Sequence, residues 1–160
     1  MLIINQNKSC YKGERMNKDI CISVQGIQNT GSGWETILTK TTGTYYFENG
    51  FHVVNYHELE EHGTDTDNIL FLSETEMRLC KSGSLSGQFL FLQGEKTLAE
   101  YFTPFGEMNF EVETESYKMR AKKKDINAQV IYRLYADGCL FLENNLSVHI
   151  EDSGIENIGL

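Results

Sequence analysis

The sequence predicts an all-β protein, an antiparallel up-and-down meander of about ten strands that closes into a barrel. Apolar and polar residues alternate with a period of two along several segments, which is typical of strands with one buried face. Turn signals rich in Gly, Asn and Asp separate these segments, and no segment has convincing helical periodicity. Ten strands in one open sheet would leave long exposed edges, so closure is favoured over the alternative, a two-sheet sandwich.

The first half of the chain supplies five of these strands. The first begins at Asp19 and is followed by Trp34 to Phe47, Phe51 to Glu60, Asn68 to Ser73 and Glu76 to Lys81. Asn49-Gly50 separates the second and third strands and predicts a tight hairpin, because both positions tolerate positive φ. Gly63 to Asp67 is predicted to be a turn.

The second half continues the same pattern. Its predicted strands are Gln88 to Gln93, Lys96 to Thr103, Gly106 to Tyr117, Gln129 to Tyr135 and Leu140 to Glu151. Alternation places Val130, Tyr132 and Leu134 on the inner face of the ninth strand. The last strand is predicted to bury one apolar face, made of Leu140, Leu142, Leu146, Val148 and Ile150.

Composition restricts the class of protein. The net charge of −9 and the pI near 4.9 argue against nucleic acid as a partner, because an acidic surface repels phosphates. Five of the 14 basic residues fall between Lys118 and Lys124, and this cluster is interpreted either as a solvated loop or as a patch for an acidic partner. No apolar run is long enough to span a membrane and no signal peptide is evident, so we expect a cytoplasmic protein. The scattered Cys10, Cys21, Cys80 and Cys139 suit a reducing compartment.

Domain organisation is predicted to be simple. Residues 1–15 lack the alternating pattern, and Gly13-Glu14 can be encoded by a ribosome-binding sequence at a workable distance before Met16. We therefore expect residues 1–15 to be a non-native or disordered extension and Met16 to be the true start. Residues 16–152 are predicted to form a single barrel domain, and residues 153–160 a loose tail.

The stretch from His57 to His62, HELEEH, resembles the H-E-x-x-H signature of zinc proteases. Its second His lies at i+5 instead of i+4, so on a helix the two rings would diverge by about 140°. On a strand they would point to opposite faces. The two His could still gather with Asp65 or Asp67 in a loop, although a surface His beside acids is the commoner case. Without another catalytic or metal-spaced motif, the sequence predicts no enzyme, no metal and no cofactor.

Several turn motifs resemble those of the YwiB-like proteins, small bacterial proteins with a domain of unknown function. The matching segments are GTYYFENGFHVVNYHELEEHGTDTDNILFL, Thr103-Pro104-Phe105-Gly106, Tyr132-Arg133-Leu134, Gly138 and Asn144-Asn145-Leu146. The resemblance covers roughly residues 17–152 and departs at Phe105, where Tyr is usual. It implies a calycin-like (lipocalin-like) β-barrel and no established activity.

The expected function is therefore non-catalytic binding of a small hydrophobic or amphipathic ligand inside the barrel. Tyr101 and Thr103 fall on the uncharged face of their strand, and Tyr132 falls on the inner face of another, so these three are the candidate ligand-binding residues. The alternative is a structural or interaction module with a filled barrel, either monomeric or homodimeric. Neither nucleic acid nor membrane is an expected partner.

Overall fold

A computed structural model of the protein describes residues 18–59 and 65–153. These residues form ten strands: β1 (Lys18–Asn29), β2 (Trp34–Glu48), β3 (Phe51–Leu59), β4 (Asp65–Leu72), β5 (Glu76–Gly83), β6 (Ser86–Leu92), β7 (Lys96–Thr103), β8 (Gly106–Ala121), β9 (Asp125–Ala136) and β10 (Cys139–Asp152). Within these ranges no helix long and apolar enough to cross a membrane is found. The predicted extension at 1–15, Met16, His62 and the tail beyond Ser153 lie outside the described residues.

Every strand pairs with its neighbours in sequence, and β1 pairs with β10, which closes the sheet into a barrel. All pairings are antiparallel. Between β1 and β10, for example, the register runs from Ile20 opposite Asp152 to Asn29 opposite Glu143. Closure gives each strand two partners and removes the exposed edges of an open sheet. The predicted all-β, up-and-down barrel of about ten strands is confirmed.

The two ends of the barrel differ in how they are packed. The turns before β2, β6, β8 and β10 and the start of β4 lie at one end, here called the open end, and the turns before β3, β5, β7 and β9 lie at the closed end. Near the closed end the interior is filled by side chains that are almost fully buried: Ile20, Leu72, Met77, Ile126 and Ile150. The Tyr117 hydroxyl also donates a 2.7 Å hydrogen bond to the Ser73 carbonyl across this end. Only a small pocket of about 60 Å³ lies among the described residues of the closed end, and a much larger space lies towards the open end.

Three strands extend at least three residues beyond the bounds that the sequence pattern predicted. β4 begins at Asp65, inside the predicted turn, and β9 begins at Asp125 instead of Gln129. β8 continues to Ala121, so Lys118 and Arg120 lie on a strand and only residues 122–124 form the turn. β8 and β9 are longer than predicted because they pair with each other. Residues Lys118 to Ala121 form strand hydrogen bonds with β9, and this pairing stabilises the strand despite the polar composition of the segment.

The predicted burial of Leu140 is wrong. The register between β9 and β10 shifts between Leu140 and Leu142, so that Leu140 pairs with Tyr135 and Leu142 with Leu134. The extra residue, Phe141, breaks the alternation and leaves Leu140 exposed. Beyond the shift, Leu142, Leu146 and Val148 face the interior as predicted.

Candidate functional site: the cavity at the open end

The barrel encloses a cavity of about 390 Å³ in its open half. All ten strands contribute to its lining, and Leu85 adds the turn between β5 and β6. Ile37 and Phe141 line the cavity while remaining 49% and 44% exposed, which places its mouth at the open end. The volume lies within the range of about 300–1,000 Å³ usual for small-molecule sites.

Aromatic rings form one wall of the cavity. Phe91 lies 4.6 Å from Tyr132 between ring centroids, and Phe89 lies 5.5 Å from Tyr101. Tyr101 also faces Phe110, whose ring lies 5.2 Å from that of Phe141 at the mouth. Aliphatic side chains supply other parts of the lining: Val24, Ile37, Leu70, Leu79 and Leu146. The aromatic wall offers an apolar ligand a large contact area and rings against which an aromatic ligand can stack.

A charged network interrupts the apolar lining. The Lys81 ammonium lies 3.4 Å from Glu58 Oε1 and donates a 3.0 Å hydrogen bond to Asn68 Oδ1. Asn68 in turn donates a 2.8 Å bond from Nδ2 to the same Glu58 oxygen. The Glu58 and Lys81 side chains line the cavity and are only 23% and 17% exposed. The pair adds polarity to one side of the cavity without adding net charge.

A second polar pair lies on the wall formed by β9 and β10. Asn144 Nδ2 donates a 2.9 Å hydrogen bond to the Tyr132 hydroxyl, and the two residues are 7% and 9% exposed. Asn144 Oδ1 is buried without a hydrogen-bond partner among the described residues. Burial raises the pKa of Tyr132, and the hydrogen bond from Asn144 opposes this shift. The hydroxyl therefore keeps its proton at neutral pH.

The structure brings two of the three candidate ligand-binding residues to this cavity. Tyr101 and Tyr132 both line it. Thr103 does not belong to the lining. Its hydroxyl instead donates a 3.0 Å bond to the Gly106 carbonyl and accepts one from the Phe105 amide, which fixes the β7–β8 turn. The interior position expected for Thr103 is corrected, because the strand ends there and its hydroxyl is used locally.

The sequence interpretation missed Glu58, Lys81 and Asn144 as lining residues. Asn144 falls between Leu142 and Leu146 on the inward-facing set of β10, so the period of two already placed a polar amide inside. Glu58 follows Tyr56 and Lys81 follows Leu79 by the same two-residue step. A polar residue on an apolar face is the signal that could have identified them.

His57 does not form a metal site with the described residues. Its Nδ1 lies 2.8 Å from Asp67 Oδ1 and its Nε2 lies 3.1 Å from Asp65 Oδ1, on the outer surface. Hydrogen bonds to Asp67 and Asp65 raise the pKa of His57. Among residues 18–59 and 65–153 no group of three or more ligands is placed to hold a metal ion. His62, the other half of the HELEEH pattern, lies outside the described residues.

The basic cluster contributes to a groove on the outside of the barrel. This groove has a volume of about 590 Å³ and crosses β1, β10, β9 and β8. Lys118, Arg120 and Lys122 lie along one margin, and His149 lies among the polar residues of its floor. His149 Nε2 is 3.7 Å from Asp125 Oδ2, so a carboxylate offsets part of the positive charge. The side chains of Lys118, Arg120 and Lys122 are exposed, in contrast to the enclosed polar pairs of the cavity.

Comparison with known proteins places the chain in a family. A family model described as "Domain of unknown function (DUF1934)" matches residues 22–148, most of the described barrel. The chain belongs to this family. The likeness to YwiB-like proteins that the turn motifs indicated is thereby confirmed.

A curated relative and a solved structure are also similar to this barrel. The chain is 25% identical over 116 residues to the uncharacterized β-barrel protein YwiB of Bacillus subtilis (strain 168), covering 72% of this chain and 81% of YwiB. It also matches the crystal structure of the ywiB protein from Bacillus subtilis with a TM-score of 0.77 and 23% identity. That match covers 86% of this chain and 93% of the other. At this identity the structural likeness shows a common fold.

Proposed function

We propose that this DUF1934 protein is a non-catalytic binding protein that holds one small amphipathic molecule in the cavity of its barrel, as lipocalins do. The observation that carries the proposal is the unfilled volume of about 390 Å³ beside a closed end that is tightly packed. Protein interiors are normally filled to the density of organic crystals, so a space of this size with a solvent-accessible mouth suits a ligand.

The lining decides the chemistry of the ligand. Aromatic and aliphatic side chains supply most of the wall and would contact an apolar body. The polar residues at the cavity include two hydrogen-bonded sets, Glu58–Asn68–Lys81 and Tyr132–Asn144, and also Gln28 and Thr39. Few polar groups placed in an apolar pocket are typical of sites that orient a ligand with one polar part. The cysteines Cys21 and Cys139 carry free thiols, which agrees with the cytoplasmic location included in this proposal.

Binding of N-phenyl-1-naphthylamine, whose fluorescence increases in apolar surroundings, tests the proposal. Thr39 lines the cavity near its mouth, whereas Leu38, the preceding residue on β2, is exposed on the outer face. We expect Thr39→Phe to fill the mouth and weaken binding at least about tenfold, while Leu38→Phe leaves the Kd unchanged. Absence of saturable binding by the unaltered protein, or equal binding by both variants, overturns the proposal.

Self-association through the open end is the second candidate function. Exposed apolar side chains gather at this end: Ile27, Trp34, Ile37, Leu38, Phe102, Phe105, Leu140 and Phe141. A second copy placed mouth to mouth would cover them, and apolar patches of this kind often mark interfaces. Sedimentation velocity tests this candidate. A strict monomer at the highest soluble concentration contradicts it, and a dimer that Phe105→Asp dissociates supports it.

A further inference from the structure

We infer that the polar part of the ligand is an uncharged group carrying both a hydrogen-bond acceptor and a donor, such as a primary carboxamide, and that Asn144 and Tyr132 bind it. This inference rests on the proposed function and deepens it by naming the class of ligand. It starts from the Asn144 Oδ1 atom, which lies in the cavity wall without a partner among the described residues.

The hydrogen-bonding capacity of the pair defines what it can hold. A Tyr hydroxyl is one donor and an acceptor, and an Asn amide has two N–H donors and a carbonyl oxygen. The bond from Asn144 Nδ2 to the Tyr132 oxygen uses only part of this capacity. The Tyr132 proton remains available to a ligand oxygen, and Asn144 Oδ1 to a ligand N–H. A buried acceptor left without a bond costs about 1–3 kcal/mol, so a ligand that supplies the donor gains affinity.

The absence of a side chain at Gly26 leaves the approach to Asn144 open. A Cβ atom at Gly26 would lie 3.3 Å from Asn144 Oδ1 and 3.6 Å from Nδ2. Larger side chains at this position would cover the amide. Gly26 itself lines the cavity, opposite Leu146 in the pairing of β1 with β10. Gly26 therefore places no side chain against the Asn144 amide that would block a ligand group.

Charge excludes an anion as the preferred group. The charged side chains in the lining are Glu58 and Lys81, which lie 3.4 Å apart and offset each other. Lys81 is also committed to Asn68. A carboxylate bound near Asn144 would lose its hydration, and no unpaired cation in the lining would compensate for that cost. The carboxylate oxygens would also be repelled by the lone pairs of Asn144 Oδ1. An amide meets the same pair with one donor and one acceptor.

Three probes of similar shape test the inference: naphthalene, 2-naphthamide and 2-naphthoate, each measured by displacement of N-phenyl-1-naphthylamine. We expect the amide to bind about tenfold more tightly than naphthalene, as two net hydrogen bonds would give, and more tightly than the carboxylate. Asn144→Leu should abolish the advantage of the amide but retain naphthalene binding. Asn145→Leu is the matched control, since Asn145 is the next residue on β10 and its Oδ1 accepts a hydrogen bond from the exposed Gln129 outside the cavity.

Each outcome has a defined meaning. Equal binding of naphthalene and 2-naphthamide, or tighter binding of 2-naphthoate, overturns the inference while leaving the proposed function standing. Failure of every probe to displace or bind overturns the proposed function as well. If circular dichroism shows that Asn144→Leu does not fold, Tyr132→Phe is used instead. This variant removes one of the two hydrogen bonds to the ligand, so we expect the difference in binding free energy between 2-naphthamide and naphthalene to fall by about half. An undiminished advantage in that variant also overturns the inference.

Discussion

Asn144 and Tyr132 face each other on adjacent strands of the barrel and are joined by a 2.9 Å hydrogen bond inside its cavity. The bond uses one N–H of the Asn144 amide, and the carbonyl oxygen of that amide is buried without a hydrogen-bond partner among the described residues. A buried acceptor without a donor costs free energy, and a ligand that supplies the donor would remove that cost. In the proposed function, Asn144 and Tyr132 are the residues of the cavity wall that bind the polar part of the ligand.

Removing the Tyr132 hydroxyl should destabilise the protein. Tyr132→Phe leaves the Asn144 amide nitrogen buried without its acceptor, which we expect to lower the free energy of unfolding by about 1–3 kcal/mol. Urea denaturation followed by circular dichroism measures the change. Tyr135→Phe on the same strand is the control, because the Tyr135 side chain is half-buried and its hydroxyl has no hydrogen-bond partner in the described part of the chain. Equal effects of the two substitutions would contradict the role of the bond.

Glu58 and Lys81 should be energetically coupled. They are partly buried, 3.4 Å apart, and share the Asn68 amide. We expect Glu58→Gln and Lys81→Met to destabilise the barrel individually and to show a coupling energy of about 0.5–3 kcal/mol in a double-mutant cycle. Lys96 and Glu111, a more exposed pair at 3.3 Å, provide the comparison, for which the coupling should be weaker because solvent screens the charges. Additive effects at Glu58 and Lys81 would show that the network contributes little.

The imidazole pKa values of His57 and His52 should move in opposite directions. Hydrogen bonds to Asp67 and then Asp65 raise the pKa of His57 above 6.5, whereas burial lowers the pKa of His52 below 6.5. The contribution of protonated His57 to stability is fully present below its unfolded pKa and is lost as the pH rises through the folded pKa. NMR titration measures both values. We expect Asp67→Asn to lower the His57 pKa without moving that of His52; an unchanged His57 pKa would exclude the assigned cause.

Gly43 should resist substitution even by alanine. It lies in β2 where this strand pairs with both β1 and β3, and an added Cβ would come within 2.2 Å of the Asn55 carbonyl oxygen. The backbones would have to separate, so we expect Gly43→Ala to lower the free energy of unfolding by about 1–3 kcal/mol. Thermal unfolding compares it with Thr36→Ala, an exposed position on the same strand, which should change stability by less than about 0.5 kcal/mol.

Local pattern was sufficient to predict strands where one face is apolar and the turns carry Gly or Pro. β7 has the predicted bounds, Lys96 to Thr103, because alternation and the Pro104 turn agree there. β8 and β9 are longer than predicted, since their ends are stabilised by pairing with each other and not by their own composition. Pairing partners far apart in sequence, such as β1 and β10, become visible only when the sheet closes.

The cavity was less predictable than the barrel. Tyr101 and Tyr132 could be placed inside by alternation alone. The bulge that turns Phe141 towards the cavity and leaves Leu140 exposed depends on the pairing of β10 with β9, which the sequence of β10 does not reveal. Whether an inward side chain fills space or lines a void depends on all ten strands together. Asn144 was within reach of sequence reasoning, but an inward amide alone does not show that its oxygen lacks a partner.

Native mass spectrometry of the protein purified from its own cells tests the central claim, that the cavity holds a small ligand. We predict an added mass of small-molecule size that is retained under native conditions and disappears on denaturation. Thr39→Phe, which fills the mouth of the cavity, should lose this mass, and Leu38→Phe should keep it. A bare chain in the unaltered protein, or an adduct that persists equally in Thr39→Phe, would contradict the account.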